Sequence, residues 1–505
     1  MAVLKHNIVW NLIAGVWIGV LTLILTPLQV KLLGMEAYGL IGFIAVLQIV
    51  MGVLDIGLSS TVTREIAGDS SPGHKASFEL LRTATTIYWS VALLIGIIFS
   101  YAAEDIARAW FRSDATHINE LVYGLQVAAL ILALRWPVSL YAGALTGVQR
   151  LDILNLIKAG TVSIRLLGGI IVIFVSRDLS TFLAWLAFAA ALEVLAYLVA
   201  CRVTIDGYDW RPGFSLRALQ AVWGFSLGMS ALGVLSVGLT QIDRLLVSKL
   251  LPLQELGYYA LAHTTASSIS LIATAFGTAL MPSFAAAHGA GSQNTLVKRY
   301  ESASRVLVFT TGAIFFTLTF FGQALLSIWV GSDAAAGASR TLAMLAAGYW
   351  LGAAVSATYT LTIACRRPYL SLKVSAASAI IYGPAVYIMI AIWGIEGAAI
   401  TWFLLFAGYV CVMIPIVHRQ ILAIPVAQWF LHTLFSFALL GASTFGTAKL
   451  IVYLIGSSHL VIDLMALALA LIFYSGLGFF FLGADVRRFL LDLVRRAANK
   501  APPVQ

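Results

Sequence analysis

Residues 241–261, QIDRLLVSKLLPLQELGYYAL, carry one apolar run to its end, turn briefly, and start the next. Residues 29–40, QVKLLGMEAYGL, do almost the same near the N-terminus: Lys-Leu-Leu, a short turn carrying a Glu, and an aromatic-led re-entry into apolar sequence. The two lysines, Lys31 and Lys249, are 218 positions apart. A second pair repeats at a similar distance: GALTGVQRLDILNLIK ends at Lys158, and YTLTIACRRPYLSLK ends at Lys373, 215 positions on. Similar offsets at two places predict a parallel duplication, six apolar spans followed by six more in the same orientation, related by an axis along the membrane normal. A cleft between two such lobes is where a transporter holds its substrate.

The rest of the chain agrees with a membrane setting. Of 505 residues, 61% are hydrophobic and 10% charged, against about 25% charged in soluble domains. Apolar runs of about 20 residues, the length of a bilayer-crossing helix, recur from end to end. Fourteen are expected: 9–30, 39–62, 83–102, 121–145, 154–175, 182–201, 220–250, 257–284, 305–330, 340–364, 371–393, 397–417, 429–455 and 460–482. The runs are continuous rather than alternating, which excludes a β-barrel. The expected fold is therefore all-α and polytopic. Its parts are an N-lobe over 1–216, a C-lobe over 217–428, two further helices over 429–482, and a tail over 483–505. In that tail Val486, Phe489, Leu490, Leu493 and Val494 oppose Arg488, Asp492, Arg495 and Arg496 at helical spacing. It is expected to lie on the inner leaflet, held by anionic lipid.

The first span has no small-x-small cleavage site and reads as a retained helix. The net charge of +9 reads as lysines and arginines held at one membrane face rather than as a nucleic-acid surface. With the N-terminus inside, 21 lysines and arginines fall on the cytoplasmic side and 6 on the other, the remaining four lying inside spans. That asymmetry places both termini in the cytoplasm. Extramembrane segments reach only roughly twenty residues, no GxxxxGK[ST] loop occurs, and GxSxG and HExxH are absent, so neither ATP hydrolysis nor other enzyme chemistry is expected. Cys201, Cys365 and Cys411 have no metal spacing and read as packing residues. No cofactor is called for.

Charges within the spans are the candidate functional groups, because ionisable residues in hydrocarbon are costly and usually face an interior or a wet cavity. Arg135, Arg165 and Glu193 lie about 15, 16 and 12 Å from the inner ends of three consecutive spans, at 1.5 Å per residue. Two arginines against one glutamate leave one positive charge in surplus, suited to an anionic head group that guanidinium can grip bidentately. The alternative is a buried Arg–Glu pair that pins the lobe, with Trp136-Pro137 marking a kink beside Arg135. Asp243-Arg244 sits about 11 Å inside the outer end of its span: Arg244 can line an outer cleft while Asp243 orients it or carries H⁺ or Na⁺. Asp55 can do that work at the opposite gate, or pair with Arg64, or cap a broken helix. Lys31 and Lys249 read as snorkelling lysines, Lys449 and Asp463 as a pair. Gly15-x-x-x-Gly19, Gly143-x-x-x-Gly147 and Gly224-x-x-x-Gly228 read as helix-packing sites. Pro27, Pro137, Pro282, Pro384 and Pro415 mark bends, either static or part of a rocking motion.

Taken together, QIDRLLVSKLL with LGYYALA, KLLGMEAYGLIGF with LDIGLSSTVTREIA, GALTGVQRLDILNLIKAG, and SIWVG at 327–331 resemble the oligosaccharide flippase family. These are Wzx-type polysaccharide transporters of the MOP superfamily, relatives of MATE exporters and of the lipid II flippase. The resemblance covers the whole chain. It implies two six-helix lobes with two trailing helices, alternating access driven by an ion gradient (H⁺ or Na⁺), and a cationic cavity. It further implies an undecaprenyl-diphosphate-linked oligosaccharide carried from inner to outer leaflet of a bacterial inner membrane, with polysaccharide polymerase and co-polymerase as partners. Of the site residues, Asp243 and Arg244 match the family pattern best. The competing expectations are a MATE-like drug/cation antiporter, whose buried acid in the first span is missing, and a membrane polysaccharide polymerase or ligase, whose large outer loop is missing.

Overall fold

The computed structural model describes residues 2–55, 57–68, 75–111, 118–205, 211–456, 459–483 and 487–488. Every regular element among them is a helix. Among the described residues, eleven helices or helix runs are long and apolar enough to cross a membrane. Three further features reconcile them with the fourteen expected spans. The second span is split, α2 (Met35–Met51) being separated from α3 (Leu58–Gly68) by a tight turn at Gly52–Asp55. The seventh is α11 (Leu216–Leu250). The eleventh and twelfth run together as α16 (Tyr369–Val417), which bends at Gly394 with φ 59° and ψ −138°. That backbone conformation is open to glycine alone at little cost. The bend lies where the loop between spans was expected, whereas Pro27 and Pro282 sit inside continuous helices. The proposed amphipathic tail lies outside the described residues, Arg488 apart.

The chain divides into two compact units, residues 1–260 with 383–395, and residues 261–382 with 396–505. In the first, α1 (Ala2–Leu33) gives way to α2 at Gly34, whose φ of 86° stops the helix. At the repeated position, 218 residues on, α11 gives way to α12 (Leu253–Ala266) at Leu251-Pro252. Leu251 is extended (φ −122°, ψ 161°), as a residue before proline must tend to be. One break uses left-handed backbone and the other a missing N–H, at the same place in the repeat.

These two helix starts cross. A Cβ built on Gly39 would strike the Leu253 carbonyl oxygen, and one built on Gly257 would strike the Met35 carbonyl oxygen. Both pairs transform into each other by the 218-residue offset. A Cβ on Gly42 would lie 3.1 Å from the Cβ of Ala260, its own counterpart at that offset. The local axis of the duplication therefore passes through the α2–α12 crossing, and hydrogen in place of a side chain allows the backbones to approach.

The other repeated segment also ends the same way twice. α7 (Val138–Gly147) and α15 (Ser332–Ala364) both close in a Schellman-type turn: Arg150 N–H donates to Leu145 O and Arg367 N–H to Thr362 O. The left-handed residue is Gln149 (φ 59°) in one and Arg366 (φ 56°) in the other, positions where glycine is usual.

The core of the first unit gathers around Tyr88, Trp136, Tyr141 and Tyr197, all at most 7% exposed. Of the expected packing glycines, Gly143 and Gly147 press against α3, with Thr63 Oγ1 donating to Gly143 O at 2.9 Å. Gly15 and Gly224 face open space instead; the neighbouring helices are met by Trp17, which donates to Ser163 Oγ, and by Ser226, which bonds Thr61, on other sides of the same turns. In the second unit, α18 (Ser436–Leu454) and α19 (Leu460–Phe481) dock onto α14 (Gln293–Trp329). Gly441 leaves room for the Phe316 ring and Gly478 for Phe309. Tyr474 stacks on Phe309 (centroids 5.2 Å apart) and donates its hydroxyl to the Phe309 carbonyl at 3.0 Å. The two trailing helices are joined by the expected Lys449–Asp463 pair at 2.6 Å.

Candidate functional site

Arg135 is the last residue of α6 (Ile118–Arg135); Trp136-Pro137 interrupts the helix before α7. Trp136 stacks on Tyr88 with centroids 4.8 Å apart, which fixes the break and aims the preceding arginine. Its Nε lies 2.8 Å from Glu193 Oε2 and its Nη2 donates to Glu193 Oε1 at 3.2 Å. That is a two-pronged guanidinium–carboxylate pair between α6 and α10 (Leu179–Thr204), the geometry in which arginine holds a carboxylate most firmly. A third helix joins: Arg135 Nη1 donates to Gln48 Oε1 of α2. Gln48 was not singled out from the sequence; the signal was one uncharged amide inside the apolar run GFIAVLQIVM.

Arg165 stands beside this pair, within electrostatic reach of both Arg135 and Glu193. It lies in a π-helical turn, Ile164–Gly168, between α8 (Leu151–Ser163) and α9 (Gly169–Ser176). Such wide turns recur at functional sites. The turn is braced by Trp185, which donates Nε1–H to the Arg165 carbonyl at 3.1 Å and fills the space left by Gly168. Among the described residues the Arg165 side chain forms no hydrogen bond or ion pair. Arg135 and Glu193 thus form the buried pair of the second alternative, and Arg165 stands beside them as a second positive charge.

Asp243 and Arg244 are not part of this cluster. Asp243 is fully buried in the α11–α12 hairpin and accepts the Tyr259 hydroxyl at 2.5 Å, while its Oδ1 meets no donor among the described residues. Arg244 turns to Gln241 on its own helix, Nη1 to Oε1 at 3.4 Å. Asp55 closes the turn into α3, accepting the Ser59 N–H at 3.2 Å on Oδ1 and the Ser59 hydroxyl on Oδ2. That is the capping alternative, and it satisfies a backbone donor that the helix start leaves open. Arg64 pairs with its neighbour Glu65 at 2.5 Å instead. Lys249 is held as well: its ammonium lies 4.9 Å from the Trp110 ring centre, a cation–π contact, and Trp110 Nε1 donates to Ser248 Oγ at 3.0 Å.

Comparison with known proteins places these residues in a family. Residues 29–334 match the model of a family described as polysaccharide biosynthesis protein, and the chain belongs to that family. A Shigella flexneri protein named as an O-antigen transporter is 25% identical over 415 residues, covering 80% of this chain and 94% of that one. Among solved structures, the fold resembles the lipid II flippase MurJ in an inward closed conformation. That match has a TM-score of 0.72 at 13% identity, over 93% of this chain and 98% of that one. It also resembles an inward-facing multidrug resistance MATE family transporter of the MOP superfamily, with a TM-score of 0.63 at 14% identity, over 81% and 94% of the two chains. The chain is a multi-pass helical membrane protein whose fold is shared with these flippase and MATE structures, as the sequence resemblance implied.

Proposed function

We propose that this member of the polysaccharide biosynthesis protein family flips an undecaprenyl-diphosphate-linked oligosaccharide from the inner to the outer leaflet of a bacterial inner membrane. Both termini lie in the cytoplasm, lobes 1–216 and 217–428 rock in alternating access, and an H⁺ or Na⁺ gradient drives the cycle. Polysaccharide polymerase and co-polymerase receive the product. The chain performs no covalent chemistry.

The observation that carries this reading is Arg165. Glu193 already balances Arg135, so Arg165 supplies a positive charge that no residue beside it cancels, at a depth where a bare charge is costly. A diphosphate repays that cost when it binds, through charge-assisted hydrogen bonds to the guanidinium. In this reading Arg135 is held in position by Glu193 and Gln48 and offers its remaining hydrogen-bonding capacity to the same group. Arg244 adds charge nearer the outer face, and Asp243 and Asp55 serve coupling or gating. The MATE-like fold favours a drug/cation antiporter as the second reading, but a surplus cation in the membrane repels cationic drugs.

The test is leaflet accessibility of labelled lipid-linked oligosaccharide in cells lacking the protein, complemented with wild type or Arg165→Ala at equal membrane levels. Accumulation on the inner leaflet, relieved by wild type and not by the variant, is expected. Glycolipid that reaches the outer leaflet with neither this protein nor a redundant flippase present overturns the proposal. Reporter fusions at each terminus test the orientation separately.

A further inference from the structure

In the second unit a polar cavity of about 230 Å³ is lined by Glu301, Arg305, Gln428, Trp429, His432 and Thr433. Glu301 and Arg305 stand one turn apart on α14. The other four belong to α17 (Val426–Trp429) and the π-helical turn Phe430–Phe435 that continues it. Gln428, Trp429, His432 and Thr433, at positions i, i+1, i+4 and i+5, share one helical face and all border the cavity.

This pocket is built but chemically unfinished. Arg305 Nε and Trp429 Nε1 are buried and meet no acceptor among the described residues. Trp429 is 4% exposed and Thr433 2%. Although spaced for an i,i+4 pair, Arg305 and Glu301 form no ion pair with each other. His432 engages only the Gln428 carbonyl through Nδ1 at 3.0 Å, leaving Nε2 for another partner. Buried donors without acceptors are expensive, and a guanidinium beside an indole N–H and a threonine hydroxyl is a donor set for phosphate oxygens.

Depth identifies the source of the phosphate. Arg305 is the last charged residue of α14 before the uncharged stretch 306–329, and Trp429 stands in the first turn of the candidate span Val426–Leu454, so the cavity falls at the level where hydrocarbon gives way to headgroups. Tryptophan and arginine are at home at that level. The volume is smaller than the about 300 Å³ at which small-molecule pockets begin, which suits a headgroup rather than a whole glycolipid. Glu301, on the same wall, supplies a negative charge that a second, cationic group answers.

We propose that this cavity is a lipid-headgroup site that takes a phospholipid carrying an ammonium, the phosphate lying against Arg305, Trp429 and Thr433 and the ammonium against Glu301. It is a resident-lipid site, separate from the Arg135–Glu193–Arg165 cluster.

The experiment is native mass spectrometry of purified full-length protein with added phosphatidylethanolamine, phosphatidylglycerol or inorganic phosphate. Wild type, Arg305→Gln, Glu301→Gln and Trp429→Phe are compared, each checked for a single elution peak. Wild type is expected to retain one phosphatidylethanolamine in preference to phosphatidylglycerol. Arg305→Gln should weaken retention about tenfold, the scale of one charged hydrogen bond, and Glu301→Gln should abolish the preference for the ammonium headgroup. If Arg305→Gln does not fold, Trp429→Phe, which removes the indole N–H together with part of the ring but leaves the charges in place, carries the test through a smaller loss of retention. Retention unchanged in the folded variants, a preference for phosphatidylglycerol in wild type, or inorganic phosphate binding where neither lipid does, overturns the proposal.

Discussion

Gly39 and Gly257 occupy the same position in the two halves of the chain, and at each the helix start of the other half leaves no room for a side chain. Gly39 faces the Leu253 carbonyl and Gly257 the Met35 carbonyl. A methyl group at either position pushes the two backbones apart, and once apart they have room for the second. Gly39→Ala and Gly257→Ala are each expected to destabilise by about 1–3 kcal/mol, measured by thermal melting in detergent. The double variant should cost less than the sum by at least about 0.5 kcal/mol. Strict additivity would count against the shared crossing.

Breaking the Arg135–Glu193 pair should be felt in stability as well as transport. Arg135→Ala leaves Glu193 (8% exposed) without its counterion. The Arg135 side chain keeps 24% of its exposure, so the expected loss is about 2–3 kcal/mol, below the range for fully buried pairs. Arg135→Lys keeps the charge but loses the fork and the bond to Gln48, and should fall between. Arg165→Ala, which breaks no bond to a neighbour, should leave the melting temperature within about 1 °C of wild type or raise it, since a change under about 0.5 kcal/mol moves it little. A large drop would show Arg165 to be structural.

The twin turns at Gln149 and Arg366 offer a gain. Both residues hold left-handed backbone that glycine adopts without a Cβ penalty. Gln149→Gly and Arg366→Gly are each expected to stabilise by about 0.5–1 kcal/mol, read as a rise in melting temperature. Alanine at the same positions should gain nothing.

Asp178 caps α10 just outside the apolar span, accepting the Thr181 N–H at 2.7 Å and its hydroxyl at 2.8 Å. Those two bonds hold its carboxyl below the ordinary carboxylate range. A depressed folded-state pKa adds stability at pH values above the unfolded value of about 3.9, and that stability is lost as pH falls through the folded value. Asp178→Ala should cost about 1 kcal/mol at pH 7, and the gap to wild type should narrow below about pH 4, as the carboxylate's charge is lost while its carbonyl oxygen still accepts. Asp178→Asn, still an acceptor, should lose little and show no such pH dependence.

The amino-acid sequence alone determined that the chain crosses a membrane as helices, where most of those helices end, and that its two halves repeat; their starts were less legible, because the polar first turns of α14 and α15 place Gln293 and Ser332 well ahead of the expected apolar runs. Hydrocarbon demands about twenty apolar residues per crossing, and a duplicated turn such as KLL at 31–33 and 249–251 remains visible as residue identity. It also located Arg135, Arg165 and Glu193 at one depth, because rise per residue converts position into height. Azimuth was beyond it. Hydrophobic runs that are apolar on every side carry no periodic mark of which face meets which neighbour. Only the tertiary structure therefore decided that Glu193 takes Arg135 and leaves Arg165, that neutral Gln48 joins them, and that Asp243 belongs to Tyr259. The same cause hid the Arg305–Trp429 cavity, whose walls lie more than 120 residues apart in sequence and are brought together by the packing of α14 against the turn that opens α18.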